Sequence, residues 1–129
     1  MTKRSRGFSL IELLVAVAIL GIISMVAYPQ YLNQRVKGNR AAAQTFMLDV
    51  SSTQQQFLLD NRAFATSLGA LNLAVPSDVS QFYTVTLTNV NNATSPPTYT
   101  VQAVPLAGTV QADDGTLTIN QLGQKTGTW

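Results

Sequence analysis

From Phe8 to Tyr28 the chain carries one ionisable side chain, Glu12, in an otherwise uncharged and mostly apolar run. Wound as a helix at about 1.5 Å per residue, that run matches the ~30 Å hydrocarbon core of a bilayer. A membrane span close to the N-terminus is therefore expected, and with it a membrane-anchored precursor. Glu12 is out of place in such a span. A charge near the centre of a spanning helix costs about 2.5–3.5 kcal/mol on insertion scales, so an intramembrane carboxylate usually marks function.

A secretory signal peptide would have a basic start, a shorter apolar core and small residues at a cut after that core. Here the run ends at Ala27-Tyr28-Pro29-Gln30 and continues into helical sequence without a small-x-small site. A plain signal anchor accounts for the length and leaves Glu12 unexplained. The leader Met1-Thr2-Lys3-Arg4-Ser5-Arg6-Gly7, followed by Phe8-Ser9-Leu10-Ile11-Glu12, resembles the class III signal of type IV pilins. Glycine, aromatic and glutamate all fall at the family spacing. The resemblance implies that a membrane peptidase cuts between Gly7 and Phe8 on the cytoplasmic side. It further implies that the new N-terminal Phe8 is N-methylated and that the apolar segment is kept.

The 129 residues leave room for one domain, and their formal charge of +2 belongs to the precursor. Loss of Lys3, Arg4 and Arg6 with the leader takes it to −1. From Ala41 onward, Arg62 and Lys125 face Asp49, Asp60, Asp78, Asp113 and Asp114, for −3. Phosphate binding rests on several Lys or Arg contacts, so nucleic acid is not an expected partner of this head. Arg35, Lys37 and Arg40 cluster beyond the span and balance the leader's three cations, so the positive-inside rule leaves orientation to the cleavage motif. That second cluster reads as a solvated helix face or a lipid-headgroup contact. With no cysteine, the head must be stabilised by its core; with no histidine, the usual metal ligand and neutral-pH base are missing.

After Pro29 the pattern turns amphipathic. Leu32, Val36, Ala43, Phe46, Met47, Val50, Phe57 and Leu58 recur at steps of three, four and seven, and polar residues fill much of the remainder. One helix is predicted from about Phe8 to Leu59, roughly 75–80 Å long, with Asn61 as a left-handed stop. Two residues inside it are costly: Gly21 at about 1 kcal/mol and Pro29 at ~3 kcal/mol. A passive kink in a tolerant membrane helix is one reading. The other follows from the resemblance, since pilins of this type have a proline matching Pro29 and unwind nearby in their filaments.

Residues 62–79 show little periodicity, and Arg62 to Leu68 resembles the αβ loop entry of small minor pilins, with Phe64, Leu68, Leu71 and Leu73 expected against the helix. Strict alternation follows: Tyr83-Val85-Leu87, Tyr99-Val101-Ala103 and Leu117-Ile119 alternate with mostly polar neighbours. Antiparallel strands with one wet face are predicted, with 89–97 as a hairpin loop and 124–129 as a short last strand. The expected fold class is α+β, a long N-terminal α-helix packed on a three- or four-stranded antiparallel sheet. The expected parts are a leader over 1–7, a transmembrane and filament-core helix over 8–28, and a head over 29–129.

The stretch Gly115 to Thr126, Gly-Thr-Leu-Thr-Ile-Asn-Gln-Leu-Gly-Gln-Lys-Thr, resembles the tail of minor pilins of the PilE type. Those relatives usually close this region with a disulfide. Here Asp113-Asp114 stand in front of it, no cysteine exists, and Trp129 packing is one way to pin the loop. Asp113-Asp114-Gly115 falls short of the oxygens calcium needs and reads as a solvated turn. Asn92-Ala93-Thr94 matches a glycosylation pattern by chance, and Gly123-Gln124-Lys125-Thr126 lacks the order of a phosphate loop. No catalytic set, metal site or cofactor is expected, and the chain reads as no enzyme.

Glu12 is the residue with chemistry. After cleavage Phe8 bears a free amine, protonated at neutral pH, and in apolar surroundings a carboxylate and an ammonium gain strongly from pairing. The resemblance implies that Glu12 attracts the Phe8 amine of a neighbouring subunit and sets axial register; a local alternative has Glu12 complementing its own helix dipole. The function so implied is a type IV pilus minor pilin, in the bacterial inner membrane and then in an extracellular fimbrium. Such a filament serves adhesion, twitching motility or DNA uptake. The implied partners are other pilin subunits, the prepilin peptidase and methylase, and the inner-membrane assembly platform. A major pilin, a type II secretion pseudopilin, a DNA-binding competence pilin and a membrane-tethered enzyme are the alternatives, in falling order.

Overall fold

The 52-residue helix α1, Leu10–Asn61, covers all but the first two residues of the predicted helical region in the computed structural model, which describes residues 7–129. The leader's Lys3, Arg4 and Arg6 lie outside the described residues. Two compact units divide at Gln34/Arg35 and are described separately.

In the first unit, Gly7, Phe8 and Ser9 precede the helix, so it starts two residues later than the sequence pattern suggested. The helix runs unbroken through Gly21 and Pro29. Pro29 has no N–H for the Met25 carbonyl, and one turn earlier Ser24 Oγ back-bonds to the Leu20 carbonyl at 2.8 Å.

In the second unit the helix ends one residue past the expected stop. Asn61 is its last residue and donates from Nδ2 to the Phe57 carbonyl at 3.1 Å; Arg62, at φ 56°, takes the left-handed position assigned in advance to Asn61. One face of α1 buries Ala43, Phe46, Met47, Val50 and Gln54. These steps of three and four carry the stripe that meets the sheet.

The sheet is an antiparallel meander of β1 (Tyr83–Asn91), β2 (Thr98–Pro105), β3 (Leu117–Asn120) and β4 (Lys125–Thr126), in chain order. The register aligns Val85 with Ala103 and Ala103 with Leu117, and Leu87 with Val101 and Val101 with Ile119. Apolar rows thus run across the sheet toward α1. The hairpin loop is shorter than the polar composition of 89–97 implied, because β1 continues to Asn91, which pairs with Thr98 beyond a register shift. Asn89 accommodates that shift with φ 52°. The last strand is only Lys125–Thr126.

Phe64 and Leu71 are buried in the core, with Leu68 and Leu73 packed against it. Phe64 meets Tyr99 edge-on at 4.6 Å between ring centroids. Beyond a 3-10 turn at Gly69–Leu71, the short helix α2 (Ser77–Ser80) follows Pro76 and buries Val79.

Candidate assembly surface

The N-terminal unit presents an apolar surface that its own chain leaves uncovered. Large side chains from Phe8 to Tyr31 are exposed, between 51% for Ile19 and 82% for Met25. The expected cleavage position, Gly7–Phe8, lies ahead of the helix, and both residues are exposed. Accessible backbone outside a helix is what a peptidase needs.

Glu12 sits in the first turn of α1. Its Oε2 accepts a hydrogen bond from the Ser9 backbone N–H at 3.4 Å, while the Ser9 carbonyl accepts the first helical bond from Leu13 N at 3.2 Å. Ser9-x-x-Glu12 thus behaves as half of a capping box, satisfying one of the donors a helix start leaves free. The Ser-x-x-Glu spacing that allows this bond is present in the sequence. Gly21 and Pro29 lie on the same exposed helix, away from Glu12, and a side chain at Gly21 would meet open space.

The head is held by side-chain staples where relatives were expected to carry a disulfide. Arg40 grips Asp114 with two donors, Nε at 2.9 Å from Oδ2 and Nη2 at Oδ1. Tyr83 Oη also donates to Oδ2, and Gln111 Nε2 reaches Oδ2 and Tyr83 Oη, each at 2.7 Å, and the Val36 carbonyl at 3.1 Å. Asp114 is therefore no solvated turn: its side chain is 1% exposed. Burial pushes its pKa up, and hydrogen bonds from Arg40, Tyr83 and Gln111 more than reverse this, holding it below the usual carboxylate range. Burial and then the bond to Asp114 push the Tyr83 phenol well above its ordinary value, and the bond to Asp114 raises Arg40.

Two amides staple the αβ loop. Gln54, fully buried, donates to the Ala65 carbonyl and accepts from its N–H, both at 2.9 Å. Asn92 does the same for Phe64, at 2.8 and 3.0 Å, which is the use the structure makes of the glycosylation-like Asn92. Trp129, one way the sequence offered to pin the C-terminal loop, holds the last strand. Its Nε1 donates to the carbonyls of Thr118 (3.1 Å) and Thr126 (3.0 Å), and Lys125 Nζ lies 4.4 Å over its ring. Gly127 permits this closure: at φ 92°, any Cβ there would collide with the Thr116 carbonyl oxygen. Among the described residues, no cluster of three or more His, Cys, Asp or Glu could hold a metal ion.

Comparison with known proteins divides along the chain. The family described as "Type IV minor pilin ComP, DNA uptake sequence receptor" matches residues 29–118, and the prokaryotic N-terminal methylation motif matches residues 2–28. Among curated relatives, the type IV wide pilus major component PilA4 of Thermus thermophilus is 30% identical over 69 residues, 54% of this chain and 53% of its own. Core protein G of the type II secretion system of Dickeya chrysanthemi is 31% identical over 74 residues, 55% of this chain and 48% of its own. The major pilin PilA of Myxococcus xanthus is 28% identical over 71 residues, 55% of this chain and 32% of its own. The chain spans about half the length, or less, of these curated relatives.

Proposed function

The chain belongs to the type IV minor pilin family, and on that premise we propose that it is a structural filament subunit. It is held in the bacterial inner membrane by its N-terminal helix and then transferred into a pilus. The observation that carries this reading is the apolar surface: the large side chains from Phe8 to Tyr31 are each more than half exposed, and its own chain buries none of them. At about 25 cal/mol per Å² of apolar area, such a surface is strongly driven out of water. Lipid covers it first, and the matching helices of neighbouring subunits afterwards.

On this reading the prepilin peptidase cuts the exposed Gly7–Phe8 bond and Phe8 is methylated on its new amine. Glu12 then exchanges its contact with the Ser9 N–H for the Phe8 amine of a neighbouring subunit. In a dry filament core, leaving either charge unpaired costs several kcal/mol, so the pairing fixes axial register. Gly21 and Pro29 supply the weak stretch where the helix opens as the filament forms. Other pilins and an inner-membrane assembly platform are the partners, and adhesion, twitching motility and DNA uptake are the activities such a filament serves. Nothing in this role calls for enzymatic chemistry.

Intact mass and N-terminal sequencing of the native protein test the reading. The expected product has the 122 residues that follow Gly7 and starts at N-methylated Phe8. The processed Glu12→Ala chain is expected to stay in the membrane and miss the filament. An uncut chain, in a cell that processes other prepilins, would sink the proposal.

A second reading, a DNA receptor at the pilus tip or surface, is favoured by the description of the matching family. The −3 charge of residues 41–129 opposes it, as does the engagement of Arg40 with Asp114. Salt-sensitive binding of duplex DNA by the protein would establish it. Salt-insensitive or absent binding would leave the structural role alone.

A further inference from the structure

The head carries an open groove between α1 and α2, floored by Ala42, Phe46, Pro76 and Val79 and edged by Asp49 and Asp78. Both aspartates are exposed. Among the described residues, neither carboxylate accepts a hydrogen bond, and Arg40–Asp114 is the one ion pair. Arg35 and Lys37 are also exposed and enter no ion pair among those residues. An apolar floor with two carboxylates at its rim suits an arginine or lysine, whose methylene stem lies on apolar surface while its charged end reaches the acids.

The two halves of this complementarity share one helix. Ala42, Phe46 and Asp49 follow Arg35 at seven, eleven and fourteen residues, spacings that return to nearly the same face of α1. Within one chain, Arg35 and Asp49 are therefore separated along the axis by about 21 Å, too far to meet, while Lys37, two residues beyond Arg35, projects from nearly the opposite face. Copies anchored in one membrane all point the same way, so their α1 helices lie parallel. An axial shift of that size between two copies brings Arg35 of one to the groove of the other. A contact of this kind joins two different patches, so it repeats along an open assembly instead of closing a pair.

We propose that the Asp49–Asp78 groove receives Arg35 of a second copy of this chain, as a head-to-head contact between axially staggered subunits. The inference rests on the filament reading above and names a contact within it. It adds to the apolar helix and Glu12 a polar determinant that selects which subunit lies alongside.

The absence of native cysteine makes the test direct. In cells assembling filaments, Arg35→Cys and Asp49→Cys copies carrying different tags are co-expressed, treated with a bis-maleimide linker about as long as an arginine side chain, and analysed in sheared filaments. A mixed cross-linked dimer is expected, and none from a control pairing Arg35→Cys with Gln55→Cys, exposed on a different face of α1. In parallel, the Asp49→Lys/Asp78→Lys chain is expected to enter filaments on the order of tenfold less, equivalent to ~1.4 kcal/mol. Adding Arg35→Asp to the same chain should restore incorporation, which no folding defect would allow. Wild-type chain present in filaments, with no dimer and no effect of charge reversal, overturns this contact and leaves the filament reading standing. Cross-linking only to a cysteine placed in a different pilin overturns the choice of a second copy. Absence of the wild-type chain from filaments refutes both readings together.

Discussion

Replacing Arg40 by Met isolates the Asp114 carboxylate inside the head. Asp114 is 1% exposed and Arg40 23%, so the aspartate has no route to water while the arginine has one. The substitution removes two donors and the compensating charge, leaving Tyr83 Oη and Gln111 Nε2 on Oδ2. Breaking a buried ion pair from one side costs about 3–5 kcal/mol. The two surviving donors and the partial exposure of Arg40 place the expected loss at the low end, about 3 kcal/mol. For a unit the size of Arg35–Trp129, 1 kcal/mol corresponds to roughly 4–8 °C, so Tm should fall by about 12–24 °C. Trp129, the only tryptophan, reports unfolding by fluorescence in the detergent-solubilised full chain. Asp114→Asn keeps an acceptor oxygen and lets Arg40 turn to solvent, so it should cost less, about 1–2 kcal/mol. The pH dependence has a defined sign. Because the folded-state pKa of Asp114 is depressed, its stabilisation is complete above the ordinary value of about 3.9 and is lost as pH falls through the folded value. In Arg40→Met that increment is gone, and the deficit against wild type narrows as acid neutralises the isolated carboxylate. A loss below about 1 kcal/mol at pH 7, or Asp114→Asn proving the worse of the two, would refute the reasoning.

The other staples give smaller, separate signals. Gly127→Ala forces a Cβ onto the Thr116 carbonyl at a φ of 92° and should cost about 2 kcal/mol, with a red shift of Trp129 emission as β4 loosens. Asn92→Ala frees both backbone groups of Phe64 and should cost about 1–2 kcal/mol, seen as faster amide exchange at Phe64 with Ala65 still protected by Gln54. Tyr83 has its folded pKa raised, so its contribution is complete below about 10 and is lost as pH rises through the folded value. Tyr83→Phe should therefore flatten the alkaline limb of the stability curve, measured by urea unfolding across that range.

Much of this architecture was legible in the chain because its signals are local. Alternation at Tyr83-Val85-Leu87 and Tyr99-Val101-Ala103 is a property of neighbours, and it gave the buried face of the sheet residue by residue. The helix stop missed by one position because both Asn61 and Arg62 can end a helix, and the choice depended on whether the Asn61 amide bonded back to Phe57. The hairpin loop was drawn too long because Asn89 reads as a turn residue, whereas here its left-handed backbone sits within a strand. Asp114 was misread for a different reason. Its partner Arg40 is 74 positions away, and no spacing rule connects a helix residue to a loop residue across the whole head. The paired amides of Gln54 and Asn92 were equally silent, since a glutamine that staples a distant backbone looks like any polar helix residue.

The staples that close this head are all non-covalent, and that sets what can and cannot open it. A subunit clasped by a disulfide needs an oxidant to mature and yields to a reductant. This one answers to neither, because it has no sulfur to exchange. It can complete its fold on either side of an oxidising compartment, and no thiol isomerase is required to correct it. Each clasp also releases by its own means: acid at Asp114, alkali at Tyr83, and simple thermal fraying at the two-residue edge strand under Trp129. The clasps therefore answer to different conditions, and none of them needs an oxidant to re-form.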